Sequence, residues 1–176
     1  MRVRDHIAIS GAAALLSRRW LGRNALLLWS GAVLIDSDHY LALCLQEGRV
    51  SPAEAVRFYN RADAAQPRAA RAFHSPLAVL GVLGLGGRSR PLAALGLGMG
   101  LHVMLDAIHE TRMKYIRAAA LERDRHTCQA CGRRTAHVGT HLSRQPRLLP
   151  SYRPRNVVSL CSPCHGRAHA RQTSAA

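Results

Sequence analysis

Two Cys-x-x-Cys pairs in the last third of the chain restrict its fold more than any other feature. They are Cys128 with Cys131 and Cys161 with Cys164, and they contain four of the five cysteines of the sequence. Two such pairs with 29 residues between them supply the four thiolates of a tetrahedral structural zinc site. A module this short has little hydrophobic core, so zinc would supply much of its folding free energy. The sequence therefore predicts a zinc-stabilised module here.

Three further residues stand around the cysteines in an order that indicates hydrolytic chemistry. His141 lies between the two pairs, Asn156 precedes an apolar run, and His165 follows the last cysteine directly. Hydrolysis of a phosphodiester requires an activated water and a cation on the phosphate. Histidine suits the first task because its unperturbed pKa is close to neutral pH.

This order of His, Asn and His around two Cys-x-x-Cys pairs closely resembles the HNH endonuclease family. The runs that precede the pairs, residues 123–128 and 156–161, resemble it too. The resemblance covers about residues 117–170. It implies a ββα fold with endonuclease activity on DNA.

The resemblance also implies a role for each residue. His141 would be the general base at the end of the first strand, and His165 would bind the catalytic ion, Mg²⁺ or Mn²⁺, from the helix. Asn156 would brace the loop that orients the base or approach the metal. His169 lies four residues after His165 on the same helical face, so it is either a further metal or phosphate contact or a surface histidine.

One residue departs from the family pattern. Thr140 stands where the family usually has Asp, His or Glu as a second metal ligand. A neutral hydroxyl is a poor ligand, so we expect weaker metal binding and lower turnover unless His137 compensates. A zinc module that binds DNA without cutting it is the alternative.

The positive charge of the chain is concentrated in the same region. Residues 111–176 contain 13 basic and two acidic residues, whereas residues 1–110 contain 12 basic and eight acidic ones. This charge suits the phosphates of DNA as a partner. The candidate contact residues are Arg133, Arg134, Arg144, Arg147, Arg153 and Arg155. Since 24 of the 25 basic residues are arginine, genomic base composition can produce the same excess, and the charge is supporting evidence only.

The first two-thirds of the chain reads as helical. Its apolar segments are rich in Leu and Ala, which favour helices. We predict helices over about 6–18, 23–46 and 52–71, and two apolar helices after His74. Ser51 precedes a Pro and a Glu that suit a helix start.

Polar residues interrupt these apolar helices at positions that a core or a bilayer disfavours. Such placements are costly unless the residues bind a metal or one another. Carboxylates with imidazoles suit zinc or a two-metal hydrolytic site. The candidate ligands of this second divalent-metal site are His6, Asp36, Asp38, His39, His74, His102 and Asp106.

The same residues resemble the motifs of the membrane-bound metal-dependent hydrolase family, over about residues 1–112. Ile35 stands where that family typically has Pro. The resemblance implies a helical domain, associated with a membrane, with a divalent-metal site and hydrolytic activity. The uncharged stretch Pro91–Leu105 has 15 residues, whereas a span needs about 20, so the sequence leaves spanning open. We expect no cleaved signal peptide and a location in the cytoplasm or on the cytoplasmic side of a membrane.

The sequence thus predicts a mainly α N-terminal domain over 1–114, a basic linker helix over 115–124 and a zinc-stapled ββα module over 125–170. The tail, 171–176, is expected to be disordered. The predicted function is a metal-dependent endonuclease. The alternative is a membrane-associated hydrolase of a lipid or other phosphoester whose zinc module only binds nucleic acid or a partner.

Overall fold

The computed structural model describes residues 3–48, 51–59, 72–135, 137–142 and 153–174. These residues are mostly helical, with a small two-stranded antiparallel sheet near the C-terminus and four cysteines close to it. The predicted combination of a helical part and a small sheet beside clustered cysteines is therefore present. The chain divides into two compact units, Met1–Ile108 and His109–Ala176.

The first unit is built from helices. They are α1 (Val3–Leu21), α2 (Ala25–Leu34), α3 (Ser37–Glu47), α4 (Pro52–Tyr59), α5 (Pro76–Gly86) and the first part of α6 (Arg90–Arg123). A reciprocal cap starts α4, because the Ser51 N–H donates to Glu54 Oε2 at 2.8 Å and the Glu54 N–H donates to Ser51 Oγ at 3.3 Å. The helix start predicted from the sequence at Ser51 is confirmed.

Other helix boundaries differ from the prediction. The single helix predicted over 23–46 is wrong, because α2 ends at Leu34 and α3 begins at Ser37. The break lies at Ile35 and Asp36, and the Asp36 carboxylate makes no cap hydrogen bond to α3 but faces His74 and His102. The predicted basic linker helix over 115–124 forms the last part of α6, which runs without interruption from Arg90 to Arg123. Residues 171–174 of the tail expected to be disordered belong to α7. Residues 60–71 of the predicted polar helix and the tail residues 175–176 lie outside the described residues.

Two glycines allow α2 and α6 to pack backbone against backbone. A Cβ atom built on Gly31 would overlap the carbonyl of Leu95, and one built on Gly98 would overlap the carbonyl of Leu28. Such close approach is open only to glycine. It brings the buried side chain of His102, in the next turn of α6, against α2.

The second unit consists of the end of α6, a cysteine-bearing turn, strands β1 (Val138–Leu142) and β2 (Val157–Cys161), and α7 (Ser162–Ser174). The strands are antiparallel, with Val138 opposite Cys161 and Leu142 opposite Val157. The first cysteine turn reverses at Gly132, whose φ of 70° favours glycine. This order of two strands and a helix is the predicted ββα arrangement.

Apolar side chains remain exposed on the first unit. Among them are Leu15, Leu26, Leu45 and Leu77, each at least 68% exposed. Within the described residues, α6 alone is long and apolar enough to cross a membrane, although the core helix of a soluble protein can pass the same test. Only 28% of its most apolar window is buried.

Candidate metal centres and catalytic site

The four cysteines of the two pairs converge in the second unit. Their sulfur atoms lie within 4.8 Å of one another, and Cys131 Sγ is 3.7 Å from Cys161 Sγ. A tetrahedral zinc with bonds of about 2.3 Å to sulfur has sulfur atoms about 3.8 Å apart. The four cysteines can therefore bind a metal such as zinc.

The surroundings of the sulfurs favour a bound cation. Burial opposes ionisation of Cys128, but backbone N–H groups around it outweigh burial and lower the pKa of this thiol to about 6. In contrast, the neighbouring thiol of Cys161 raises the pKa of Cys164 to about 11. Several thiolates in so small a volume repel one another, so a divalent cation is needed before all four can ionise.

Three histidines form a second cluster beside the sheet. His141 lies buried on β1, and His165 and His169 lie one turn apart on α7. The ring centroid of His141 is 5.1 Å from that of His165 and 4.9 Å from that of His169, and the Nε2 atoms of the two α7 residues are 3.1 Å apart. The structure thus brings His169 into the cluster, where the sequence left two readings open. The cluster can hold a metal ion through nitrogen atoms alone.

The electrostatics of the cluster distinguish His141. Burial and the nearby charges of His165 and His169 lower the pKa of His141 below its ordinary value. Its ring is therefore neutral near pH 7, which is the form that can accept a proton.

The other residues that the sequence predicted for this site are not members of the three-histidine cluster. Asn156 ends a short 3-10 turn, Pro154–Asn156, directly before β2 and next to the Leu142–Val157 pair that ends the sheet. Thr140 pairs with Ser159, and strand alternation directs its side chain away from the face that carries His141. His137 is exposed and is not part of the three-histidine cluster, so it does not replace the missing ligand.

The predicted nucleic-acid contacts are only partly described. Arg133, Arg134, Arg153 and Arg155 are exposed. Arg144 and Arg147 lie outside the described residues.

A charged pair that the sequence reasoning did not single out holds the end of α6 to β2. Asp124 is buried, receives two hydrogen bonds from Arg123 at 2.8 and 2.9 Å, and accepts the backbone N–H of Ser159 at 3.0 Å. Arg123 also donates to the carbonyls of Pro154 and Val157 at 2.7 and 2.8 Å. The pair therefore fixes the segment that contains Asn156. Its signal in the sequence was the adjacent Arg and Asp before the first cysteine.

In the first unit, three donor atoms form a nearly equilateral triangle. Asp36 Oδ1 lies 3.3 Å from His74 Nε2 and 3.4 Å from His102 Nε2, and the two nitrogens are 3.2 Å apart. A tetrahedral metal with bonds of about 2.0–2.1 Å has ligand atoms about 3.3 Å apart. The triangle has the dimensions of one face of such a site.

The opposite nitrogen of each histidine is held by an acceptor. His102 Nδ1 donates to the carbonyl of Ala32 at 2.7 Å, and His74 Nδ1 donates to Asp38 Oδ2 at 3.2 Å. Each ring therefore directs its Nε2 lone pair towards the triangle, as metal-binding histidines do. Two imidazole nitrogens and a carboxylate oxygen at these distances must share a cation, which is either a proton on His74 or a metal ion. The donor set fits a divalent metal such as zinc.

Of the remaining candidate ligands, Asp106 and His6 lie beside the donor triangle, whereas Asp38 holds His74 in place. Asp106 Oδ2 lies 3.4 Å from His102 Nε2, while its Oδ1 accepts from His6 Nε2 at 3.0 Å. Asp38 instead accepts the N–H of His39 and of Phe73 at 2.7 and 3.0 Å, in addition to His74. Asp38 is thus engaged in orienting the loop before α5.

The charges of the triangle are coupled. Burial opposes ionisation of Asp36, but the facing imidazoles of His74, His102 and His39 outweigh it and hold the pKa of Asp36 below its ordinary value. Burial likewise opposes a charge on His74, yet its hydrogen bonds to Asp36 and Asp38 raise its pKa. Metal binding by His74 would therefore displace a proton.

Comparison of the chain with protein-family models, curated proteins and solved structures gives no match.

Proposed function

We propose that the second unit is an HNH-type, metal-dependent endonuclease that hydrolyses DNA phosphodiester bonds. The observation that supports it most is the convergence of His141, from β1, with His165 and His169, from α7, next to a four-cysteine cluster. The strand carries one histidine and the helix carries two, so the general base and the metal ligands come from different elements.

In this proposal His141 accepts the proton of the attacking water through its ring nitrogen. The Nε2 atoms of His165 and His169 on α7, which lie 3.1 Å apart, would hold the divalent cation. When bound, the cation polarises the scissile phosphate and neutralises charge in the transition state. The four-cysteine cluster sits at the start of α7, since Cys164 directly precedes His165, so the zinc would fix the helix that carries both ligands.

The choice of ion follows from the donor atoms. The sequence predicted Mg²⁺ or Mn²⁺, yet the donor atoms of the described cluster are all nitrogen. Imidazole suits first-row transition metals, whereas Mg²⁺ prefers oxygen ligands. We therefore expect Mn²⁺, Ni²⁺ or Zn²⁺ to support cleavage better than Mg²⁺.

DNA would be held by the exposed arginines of this unit. Arg133 and Arg134 lie on the cysteine-bearing turn, and Arg153 and Arg155 lie around the 3-10 turn before β2. These side chains supply sequence-independent phosphate contacts, so DNA affinity should fall steeply with salt. Asn156 stands between the second arginine pair and β2, where it would brace the base-bearing sheet.

The test is nicking of supercoiled plasmid by the full-length chain, with each metal ion added separately. We expect His141→Ala to reduce the rate by about 100-fold or more. His137→Ala is the matched control, because this exposed histidine precedes the same strand and lies outside the cluster. It should leave the rate unchanged.

Two results would overturn the proposal. One is equal nicking by the parent and by His141→Ala. The other is no nicking with any of the ions from parent protein that binds DNA and retains one equivalent of zinc, which would favour the module that binds without cutting.

A second candidate function belongs to the first unit: metal-dependent hydrolysis of a lipid or another phosphoester, at a membrane. The donor triangle of Asp36, His74 and His102 favours it, because three protein ligands that leave a coordination position open are typical of catalytic zinc. Asp106 and His6 adjoin this position and could hold or transfer a proton there.

Metal content separates this candidate from the nuclease. The parent should bind a divalent ion in addition to the zinc of the four cysteines, and His102→Ala should lose that ion alone. His109→Ala, on the same helix and outside the described donor clusters, should bind like the parent. Equal metal content in the parent and in His102→Ala would exclude the candidate.

A further inference from the structure

A groove between α1 and α2 of the first unit has no lining residue in common with the metal clusters of the described residues. Its volume is about 640 Å³, a size typical of small-molecule sites. The α1 side is lined by Ala14, Leu15 and Arg18, and the α2 side by Leu26 and Trp29. A cavity with these walls needs an occupant that is mostly hydrocarbon.

The walls of the groove are unusually apolar for a water-facing surface. Leu15 is 73% exposed and Leu26 is 68% exposed. Trp29 donates its only polar hydrogen to the carbonyl of Ile7 at 3.2 Å, so the ring contributes carbon atoms to the lining. Covering such side chains with a hydrocarbon chain is favourable by about 25 cal/mol for each Å² removed from water.

One end of the groove is positively charged. Arg18 and Arg23 line it and are exposed, on either side of the turn that joins α1 to α2. Among the described residues, no carboxylate forms an ion pair with either guanidinium. Guanidinium groups bind phosphate in a bidentate manner. An anionic group at this end would therefore have two unopposed partners.

The same end has the character of a membrane interface. Trp20 is 69% exposed, and the guanidinium of Arg19 stacks on its ring at 3.8 Å. Tryptophan and arginine together are typical of the level of lipid headgroups. Nucleic acid would use the arginines but would leave the apolar walls in contact with water.

We propose that the groove binds one anionic phospholipid of a bilayer, with an acyl chain along Leu15, Leu26 and Trp29 and the phosphate between Arg18 and Arg23. This goes beyond the proposed nuclease and requires neither its activity nor a metal in the first unit. It gives the chain a preference for anionic membrane surfaces.

Trp29 is a direct reporter of the occupant. Trp20→Phe leaves Trp29 as the single tryptophan of the chain. The full-length variant is reconstituted in phosphatidylcholine vesicles that contain a small fraction of lipid with brominated acyl chains, which quench tryptophan on contact. Brominated phosphatidylglycerol is compared with brominated phosphatidylcholine, so that only the headgroup charge differs. We expect phosphatidylglycerol to be preferred at Trp29 by about tenfold.

Variants of Arg18 and Arg23 distinguish a specific headgroup site from a general effect of positive charge. Arg18→Gln with Arg23→Gln should bring the preference to about one, whereas Arg18→Lys with Arg23→Lys should retain most of it. The matched control, Arg88→Gln with Arg90→Gln, removes the same charge at the turn before α6 and should keep the tenfold preference. Retained helical circular dichroism checks that each variant folds.

Three outcomes would overturn the proposal. Trp29 quenched by neither lipid would mean that no acyl chain enters the groove. Equal quenching by both lipids, or equal loss of preference in the control pair, would mean that no headgroup site exists. A loss of DNA affinity in Arg18→Gln with Arg23→Gln, with lipid preference unchanged, would assign the arginines to nucleic acid.

Discussion

The two units hold their candidate metal ligands in different ways. In the second unit, four sulfur atoms lie beside a two-stranded sheet, and the apolar cluster around them includes three of the cysteines themselves. In the first unit, nitrogen and oxygen donors project from helices that already pack through clusters such as Ile35, Val79 and Met99. The sulfur cluster forms part of the core of its unit, beside a small apolar cluster of Ile116, Ala120 and Val157, whereas the nitrogen and oxygen cluster is placed by a core of packed helices.

This difference predicts what metal removal does to each unit. A metal site whose ligands form part of the core should contribute to the folding free energy of its unit, because the ligands cannot assemble without the ion. A site placed by packed helices should lose its ion without losing its fold.

Loss of a cysteine ligand should have the largest effect. Cys161→Ser should remove most of the zinc-linked folding free energy of the second unit, which is on the order of 10 kcal/mol for such sites. Hydrogen exchange should then become rapid throughout residues 109–176 while α1 and α2 stay protected. Cys44→Ser is the control, because Cys44 lies in α3 of the first unit and is not a member of the cluster. Protection of β1 and β2 in Cys161→Ser would contradict the contrast.

The next largest effect should come from loss of a helix-packing contact in the first unit. Gly98→Ala places a methyl group into the carbonyl of Leu28, so α2 and α6 must separate, at a cost of about 3 kcal/mol. Separation also weakens the bond from His102 to Ala32, and divalent-metal affinity of this unit should fall with stability. Gly100→Ala is the matched control, since its methyl group would meet only Val79 at an ordinary 3.6 Å.

The measurement is thermal unfolding together with metal binding. Gly100→Ala should be stabilised slightly, because alanine favours helix over glycine. A Gly98→Ala protein as stable as the parent would show that the helices do not depend on this contact.

The sequence predicted the arrangement of the metal ligands more completely in the second unit than in the first, for a physical reason. Cysteine spacing is a local signal, so the pairs at Cys128 and Cys161 predicted their own convergence. In the first unit, the break at Asp36 was missed because helix propensity gives it no strong signal, and a single helix over 23–46 was expected. The donor triangle itself depends on tertiary packing at Gly31 and Gly98, which periodicity does not reveal.

The candidate catalytic cluster shows the same limit. The family pattern drew attention to His141 and His165, but only the strand register and the helix face bring His169 against them. The Arg123–Asp124 pair was overlooked because adjacent opposite charges are common on helix surfaces, and only the burial of Asp124 and the long-range hydrogen bonds of both residues distinguish it.

Removal of that pair should have an intermediate effect. Asp124→Asn keeps the shape but loses charge-assisted hydrogen bonds from Arg123, and should destabilise the second unit by about 1–3 kcal/mol. Hydrogen bonding by Arg123 keeps the pKa of Asp124 below its ordinary value, so the carboxylate is charged at neutral pH. Glu122→Gln, on the exposed side of α6, is the control. Equal thermal midpoints for the two variants would contradict a structural role for the pair.

The smallest effect should come from relieving backbone strain where α6 ends. The N–H of His126 donates to the carbonyl of Leu121 and that of Arg125 to Glu122, both at 3.0 Å, which is a Schellman termination. Arg125 occupies the position where glycine is preferred, with φ of 50°. Arg125→Gly should therefore raise the stability of the second unit by about 1 kcal/mol.

Arg125→Ala separates strain from charge, since it removes the same guanidinium and keeps the left-handed backbone. It should be no more stable than the parent, and the glycine variant should exceed it in the thermal midpoint of the zinc-loaded protein. The gain should be confined to residues 109–176, because the strained turn directly precedes Cys128 and fixes where the first cysteine pair starts. A gain of equal size in the alanine variant would mean that charge repulsion among the arginines, rather than the backbone, limits the stability of this unit.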